Sequence, residues 1–351
     1  MEEIHRILET IQRTDLRSVL ATITQVEGSA YRREGVSMLF LEGGSQIGVV
    51  SAGCLEAHLA SFVPDILEAG VSRSFLFDMQ SSEILSWGEE QGCGGVVHVA
   101  MEPIHDTLLD HLCTLKHYLD QQTVVMHVKR LGSDGSVTDY AFLTENLQLF
   151  GEWRGEFPQA LVDMISTKSE PSCTSGIRFV PTIQSDVFVH RYDPQPRLII
   201  FGAGPDSRPL AALAAATGFS VIVSDWRPAL CDRRYFPDAT SFILGFPEEA
   251  IRAIQFSPFD YVVVMTHYFK KDQQLLRLLS DRQLRYVGIL GSKRRTERML
   301  SGLQIPMNVH FPVGLAIGAE GPEEIAVSIL AELISVRRKK RKQESSSHES
   351  G

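Results

Sequence analysis

A glycine-rich turn past the middle of the chain has the residue types that hold phosphate. In "RLIIFGAGPDSRP" (197–209) an apolar strand runs into Gly202 and Gly204, and an apolar helix follows. Gly202 permits a tight turn, and Gly204 lets the backbone approach a pyrophosphate at the positive N-terminus of the helix. Ser207 stands where a third glycine is usual, and Asp225 ends the next strand, where an acidic side chain accepts a ribose hydroxyl. The pattern predicts a Rossmann-type unit, although such a fold can persist without a nucleotide.

Two later strand ends carry polar residues. "YVGILGSKRRTERML" (286–300) places Gly291 and Ser292 before a helix that starts with Lys293 and Arg294, and His267 follows the strand "VVVMT". Ligands of an open parallel sheet bind beyond the carboxyl ends of its strands, so these residues predict an anion site. The alternatives are a solvated basic helix face and a structural histidine.

Two cysteines in the first half of the chain lie where a thiol would be reactive. Cys54 in "SAGCLE" sits at a strand-to-helix junction, and a thiol at a helix N-terminus ionises readily enough for nucleophilic attack or metal ligation. Cys93 in "GCGG" has glycines on both sides, as if something must approach it closely. The alternative for each is a small buried apolar side chain. The chain's 5 cysteines form no CxxC pair, which indicates reduced thiols and no zinc or disulfide framework.

The elements that must position these residues change character along the chain. Residues 1–192 mix amphipathic helices with alternating strands, which indicates an α+β domain. The stretch 193–196, "DPQP", reads as a linker. Residues 197–336 alternate short apolar strands with helices, as in a doubly wound parallel sheet covered on both faces. The fold class is therefore α/β, with a mixed α+β N-terminal domain followed by a Rossmann-type domain, and 337–351 is expected to be a basic, Ser-rich disordered tail.

Charge and hydropathy exclude several functional classes. The formal charge is −9, and without the basic last fifteen residues the rest carries about −13, which disfavours nucleic acid as a partner. The basic cluster 337–342 could be a nucleic-acid patch, but it also suits the C-terminal end of a helix. No apolar run is long enough to span a membrane, and the N-terminus lacks the pattern of a signal peptide. We therefore expect a cytoplasmic protein.

Ordered blocks along most of the chain resemble one family. They include "EGSAYRREGVSML", "GCLEAHL", "GCGGVVHVAMEP", "IIFGAG", "DWRP", "VVVMTHYFKKDQQLL", "YVGILGSKRRTERML" and "FPVGLAIGAEGPEEIAVSILAELISVR". The chain resembles the xanthine dehydrogenase accessory factors of the XdhC/CoxI type. Family members often have "SGGCLE" and "GAGHD", whereas this chain has Ala52 and Pro205 at the differing positions, and Pro205 removes an amide beside the glycine turn.

The resemblance implies a carrier rather than an enzyme. Such a protein binds molybdenum cofactor, as molybdopterin or its dinucleotide form, protects it during sulfuration, and hands it to xanthine dehydrogenase or a related molybdenum hydroxylase in purine metabolism. A cysteine desulfurase is the second implied partner, and a homodimer is possible. Combined with the residues above, this gives a hypothesis in which Gly202, Gly204 and Asp225 hold the phosphate or nucleotide portion. Cys54 or Cys93 then faces the molybdenum, because a soft metal accepts thiolate.

Two other functions remain open from the sequence. An NAD(P)-dependent oxidoreductase fits the fold, but the nucleotide domain shows no evident hydride-transfer partner. A scaffold protein whose Rossmann domain only senses a nucleotide would bind nucleotide without pterin. Neither a Ser-His-Asp arrangement nor HExxH nor a Walker A pattern is evident.

Overall fold

The computed structural model describes residues 3–51, 53–79, 94–166, 175–301 and 308–345. The chain divides into two compact units, Glu2–Pro194 and Gln195–Gly351. Two antiparallel sheets with helices form the first unit, and one parallel sheet with helices forms the second. The predicted fold class, a mixed α+β region followed by a Rossmann-type parallel-sheet region, is confirmed.

The N-terminal unit contains helices and strands in mixed order. Its described elements are α1 (Glu3–Ile11), β1 (Ser18–Glu27), β2 (Ser37–Leu41), β3 (Gln46–Ile47), α2 (Cys54–Ala69), β4 (Arg73–Asp78), β5 (Val96–Pro103), α3 (Asp106–Asp120), β6 (Val125–Leu131), β7 (Val137–Thr144), β8 (Leu149–Glu152), α4 (Gln159–Ser166), β9 (Gly176–Val180) and β10 (Ser185–Tyr192). The first sheet has the order β3-β2-β1-β5-β4, and the second has the order β8-β7-β6-β10-β9.

Helices cover both faces of the first sheet because β1 is apolar on both sides. Val19 and Ala21 belong to the cluster that packs against α2, whereas Leu20 faces the cluster that contains α1 and α3. Successive strand residues point to opposite faces, so a continuous apolar run requires cover on each side. Lys129 on β6 is fully buried and pairs with the buried Glu102 of β5.

The C-terminal unit holds the strand–helix repeats that the sequence predicts. Its described elements are β11 (Arg197–Phe201), α5 (Ser207–Ala216), β12 (Ser220–Asp225), β13 (Ser241–Leu244), α6 (Pro247–Ala253), β14 (Tyr261–Val264), α7 (Phe269–Leu279), β15 (Tyr286–Ile289), α8 (Lys293–Leu300), β16 (Val309–His310) and α9 (Gly321–Ser345). The sheet order is β13-β12-β11-β14-β15-β16. The order reverses between β11 and β14, and such a switch point is where open α/β sheets bind ligands.

Two segments differ from the expectation drawn from sequence. The apolar run "QIGVVS" (46–51) predicts a strand, but β3 ends at Ile47, because the amides of Val50 and Ser51 donate to the Glu56 carboxylate instead of a neighbouring strand. Helix α9 continues to Ser345, through positions that the sequence analysis assigns to a tail. The run from Arg337 contains neither Gly nor Pro, so nothing in its composition stops the helix.

Candidate functional site

The glycine turn follows β11 at the switch point of the parallel sheet. Gly202 has φ 120°, and a Cβ built there would lie 2.5 Å from the carbonyl oxygen of Met265 on the neighbouring β14 segment. A side chain therefore does not fit between the two strand ends. Ser207 is fully buried, and its hydroxyl donates to the carbonyl oxygen of Gly204 at 2.8 Å. The structure brings Gly202, Gly204 and Ser207 together, as the sequence predicts.

The first turn of α5 offers hydrogen-bond donors to an anion. Among the described residues, the amides of Gly204 and Asp206 donate to no protein atom, and both lie at the positive end of the helix. Pro205 between them has no amide to contribute. Arg208 follows in the same turn, and its buried Nε has no hydrogen-bond partner in the described part of the chain. This combination fits a phosphate-sized anion.

A cleft of about 420 Å³ opens beside this turn. Its lining includes Pro205, Arg208, Tyr235 and Glu323. The Arg208 guanidinium lies 4.0 Å from the centroid of the Tyr235 ring, close enough for a cation–π contact. The cleft therefore brings one cation and one aromatic ring to the side of α5 that begins at Pro205.

The Asp225 carboxylate at the end of β12 is bound by neighbouring protein groups. Its side chain is fully buried, and its carboxylate accepts hydrogen bonds from the Ala203 amide at 2.7 Å and from the Arg227 amide at 2.8 Å. The Arg227 guanidinium adds a bidentate ion pair, with Nε at 2.9 Å and Nη2 at 2.7 Å. Burial raises the pKa of Asp225, but the bonds from Arg227 and the two amides hold the pKa below its usual value.

The role of Asp225 as the acceptor of a ribose hydroxyl stays a prediction, although the protein already engages its carboxylate. Both carboxylate oxygens already receive two hydrogen bonds each from the protein. Through the Ala203 amide, the residue ties the glycine turn to the end of β12. The carboxylate is held by Arg227, two residues later, because a guanidinium can donate two parallel hydrogen bonds to one carboxylate. The "DWRP" block contains this signal, since an arginine so close to the acid competes with any ligand.

His267 lies next to the glycine turn. Its Nε2 contacts the Asp206 carboxylate, and its backbone has φ 65°, which is uncommon for a residue with a side chain. The preceding Thr266 donates its hydroxyl to the buried Asp272, which also pairs with Arg295 at 2.8 Å. A buried polar network thus holds the end of β14 in place. Sequence reasoning missed Asp206, whose carboxylate lies over the turn and contacts the His267 ring.

The end of β15 is built as a helix cap. Ser292 accepts the Arg295 amide at 3.3 Å as the N-cap of α8, and Gly291 has φ 142°. Lys293 and Arg294 are exposed, and their side chains form no ion pair with any residue that the structure describes. No hydrogen bond in the described ranges joins these four residues to the glycine turn. They lie at the same sheet edge, one strand beyond β14.

The loop before Cys54 is organised by Glu56. The Glu56 carboxylate accepts the amides of Val50 at 3.1 Å, Ser51 at 2.7 Å and Gly53 at 3.1 Å. Burial raises the pKa of Glu56, but the bonds from Ser51 and the backbone amides outweigh burial and lower the pKa. Cys54 is the first residue of α2, as predicted, while the placement of its side chain is outside the description.

Cys93 and Ala52 lie outside the described residues. Two residues after Cys93, a Cβ on Gly95 would lie 2.5 Å from the carbonyl oxygen of Glu27, so the Gly95 backbone approaches the end of β1 closely. Within the described ranges, no three His, Cys, Asp or Glu side chains are grouped to hold a metal ion. No helix in the described part of the chain is long and apolar enough to cross a membrane.

Family models match the chain in three segments. The XdhC Rossmann domain matches residues 198–333, the BH1974-like central domain matches 106–193, and the XdhC and CoxI family model matches 12–78. The glycine turn and the "DWRP" block fall within the first of these segments, and Cys54 falls within the last.

Three known proteins are similar over almost the full chain. A probable xanthine dehydrogenase subunit from Bacillus subtilis is 43% identical over 97% of this chain and 99% of its own length. The "Molybdenum cofactor insertion chaperone PaoD" of Escherichia coli is 22% identical over 91% of this chain and 83% of its own length. The crystal structure of a xanthine dehydrogenase from Bacillus halodurans superposes with a TM-score of 0.85 at 43% identity, covering 97% of this chain and 96% of the other. The chain therefore belongs to the XdhC and CoxI family.

Proposed function

We propose that this protein carries molybdenum cofactor to a molybdenum hydroxylase such as xanthine dehydrogenase and protects the cofactor while its terminal sulfur is installed. The observation that carries the proposal is the anion site at the start of α5, in a chain whose relatives include a molybdenum cofactor insertion chaperone. Among the described residues, the Gly204 and Asp206 amides have no protein acceptor, and Arg208 in the first turn of α5 has an Nε without a hydrogen-bond partner. Molybdopterin ends in a phosphate, so one end of the cargo matches this set of donors.

The residues at the turn fit such a cargo in charge as well as in shape. Gly202 leaves no side chain between β11 and β14, and the helix dipole adds partial positive charge. The Asp206 carboxylate alone would repel a phosphate, but it is engaged by a hydrogen bond with the His267 ring. The Asp225 carboxylate is already bound to Arg227 and Ala203, which supports a phosphate anchor over a ribose-binding NAD(P) site.

Cys54 and Cys93 are the proposed contacts to the molybdenum. Cys54 begins α2, where the helix dipole favours the thiolate form of a cysteine, and thiolate suits a soft metal. Sulfur for the cargo is proposed to come from a cysteine desulfurase. The protein's own residues supply binding and protection in this proposal, and a homodimer is compatible with it.

The test is cofactor retention by the full chain. The protein is produced anaerobically in a host that makes molybdenum cofactor and is gel-filtered, and any released pterin is then oxidised and measured by fluorescence. Bound molybdenum and nucleotide are quantified in parallel. We expect near-stoichiometric pterin. Protein that holds NAD(P) and no pterin would refute the carrier function in favour of an oxidoreductase.

Matched cysteine variants test the metal end. Cys54→Ala and Cys93→Ala are expected to lose bound molybdenum, and Cys113→Ala serves as the control because Cys113 is a free, half-buried thiol on α3. If the first two variants retain molybdenum as well as the control does, these cysteines are not the metal contacts.

A further inference from the structure

A loop of the N-terminal unit carries an exposed aromatic ring that is followed by two arginines. We call residues 28–36, which join β1 to β2, the tyrosine loop. Tyr31 is 58% exposed, and the Arg32 guanidinium lies 5.4 Å from the centroid of its ring. Arg33 is exposed, and no hydrogen bond or ion pair joins its side chain to another residue in the described ranges. The loop therefore offers a flat ring together with an available guanidinium.

The tyrosine loop is held in place before any ligand arrives. Arg32 donates to one oxygen of the Glu3 carboxylate at 3.0 Å, and the other oxygen accepts the amide of Val49 at 3.2 Å. A Cβ on Gly35 would overlap the His190 ring, so the end of the loop is pressed against β10. Single exposed rings are ordinary on protein surfaces, but a ring that is held in a fixed position loses little conformational entropy when it binds a ligand.

The tyrosine loop packs where α2 begins, at the position of Cys54. Ala30 and Val36 of the loop pack against the apolar cluster that contains Val50 and Leu55. Val50 precedes Cys54 in the loop that leads into α2, and Leu55 follows it directly. The tyrosine loop and the first turn of α2 therefore share one core cluster.

The same loop also contacts Gly95, which stands two residues after Cys93. A Cβ on Gly95 would lie 2.7 Å from the carbonyl oxygen of Ser29 and 2.9 Å from its amide nitrogen, so no side chain fits between the two backbones. The tyrosine loop therefore lies against a described sequence neighbour of each cysteine that the proposed function assigns to the molybdenum.

The chemistry of the cargo places a flat ring close to its metal. In molybdenum cofactor, the two dithiolene sulfurs that bind molybdenum are carried by the ring system that includes the pterin. A metal held by a thiol at the start of α2 therefore has the pterin beside it. Aromatic side chains and guanidinium planes are the protein groups that stack flat heterocycles, and Tyr31 and its two arginines supply both kinds.

We propose that Tyr31 stacks the pterin ring of the cargo, with the Arg32 and Arg33 guanidinium groups at the edge of that ring. The identity of the ring rests on the proposed function. The contact itself goes beyond the proposed function, because neither the glycine turn nor the thiols supply a surface for the pterin. All three residues belong to the N-terminal unit, so ring binding can be measured with a probe that has neither metal nor phosphate.

The test uses the full chain as apo protein, from a host that cannot make molybdenum cofactor. Equilibrium dialysis with 6-hydroxymethylpterin, measured by its fluorescence, reports on ring binding alone, because this probe lacks the dithiolene, the metal and the phosphate. We expect saturable binding that Tyr31→Leu weakens about tenfold, as the loss of one stacking contact predicts. Tyr31→Phe keeps the aromatic ring and is expected to bind the probe as the parent does.

A matched control separates this ring from other exposed tyrosines. Tyr235→Leu should leave probe binding unchanged, because Tyr235 is also exposed and close to an arginine guanidinium but belongs to the C-terminal unit. Circular dichroism checks that each variant is folded. Arg33→Gln changes an exposed side chain, covers the case in which Tyr31→Leu does not fold, and is expected to weaken binding severalfold. The inference is overturned if the parent does not bind the probe, if folded Tyr31→Leu binds it as tightly as the control, or if Arg33→Gln leaves the affinity unchanged when Tyr31→Leu is unfolded.

The result also separates this inference from the proposed function. If the parent from a cofactor-making host retains pterin, and apo parent and apo Tyr31→Leu bind the probe equally, the ring contact alone is refuted. If probe binding depends on Tyr31 but the parent from that host retains no pterin, the ring contact is supported and the carrier function is refuted.

Discussion

Replacing Asp225 with asparagine distinguishes a structural anchor from a ligand contact. Each carboxylate oxygen accepts two hydrogen bonds, one pair from the amide and Nε of Arg227 and the other from the Ala203 amide and Arg227 Nη2. Asparagine keeps one acceptor oxygen and turns an NH₂ group toward the other two donors. The Asp225→Asn variant therefore loses charge-assisted bonds and leaves the arginine without its partner.

The expected loss is large because the site is buried. Hydrogen bonds to charged groups contribute roughly 1.5–3 kcal/mol each, and breaking one side of a buried ion pair costs about 3–5 kcal/mol. Arg227 is 31% exposed and regains some hydration, so we expect the C-terminal unit to lose about 3 kcal/mol. That loss of stability corresponds to a roughly hundredfold larger population of molecules in which the C-terminal unit is unfolded.

Amide hydrogen exchange measured by mass spectrometry checks this in peptides that cover β11 and β12. The control is Asp232→Asn, because Asp232 and Arg234 repeat the Asp-x-Arg arrangement with amide and Nε bonds of 2.8 and 3.0 Å at an exposed site. We expect no measurable change in the control. If Asp225→Asn leaves exchange in β11 and β12 unchanged, the carboxylate does not anchor the turn.

Two further predictions concern the N-terminal unit. Burial lowers the pKa of His5 to about 4, so the folded protein keeps the ring neutral where the unfolded chain already takes up a proton. The contribution of His5 to the free energy of unfolding is therefore fully present above the unfolded pKa of 6.5 and is lost as pH falls toward 4. Urea unfolding should show a total loss of about 3 kcal/mol from this group, and a His5→Gln variant whose profile between pH 7 and 4 matches the parent would contradict that origin. Lys129→Met should destabilise the unit by about 3–5 kcal/mol because it strands the buried Glu102 carboxylate. In thermal unfolding, the double variant Lys129→Met, Glu102→Leu should regain part of the stability that the single variant Lys129→Met loses. If the single and double variants lose the same stability, the unpaired Glu102 carboxylate is not the cause.

Local sequence patterns determined much of the fold. The strands at 197–201 and 220–225 are continuous apolar runs, and such runs require cover on both faces, which indicates a parallel sheet between helix layers. Leu108, Leu112, Leu115 and Leu119 recur at helical spacing, and helix α3 spans these positions with all four leucines buried. The glycine turn could also be predicted from the sequence. In a strand–turn–helix unit of this type the backbone of the neighbouring strand comes close to the turn, and only glycine fits at Gly202.

The sequence by itself also determined which residue types stand at the strand ends, but only the tertiary structure decided their partners. Asp225 has the sequence position of a ribose ligand, yet Arg227 and the Ala203 amide occupy its carboxylate. Asp206 and His267 are far apart along the chain and meet because β11 and β14 are adjacent. Hydrogen bonds and ring contacts depend on which strand lies beside which, and this neighbour relationship is a property of the folded sheet rather than of any local stretch of sequence.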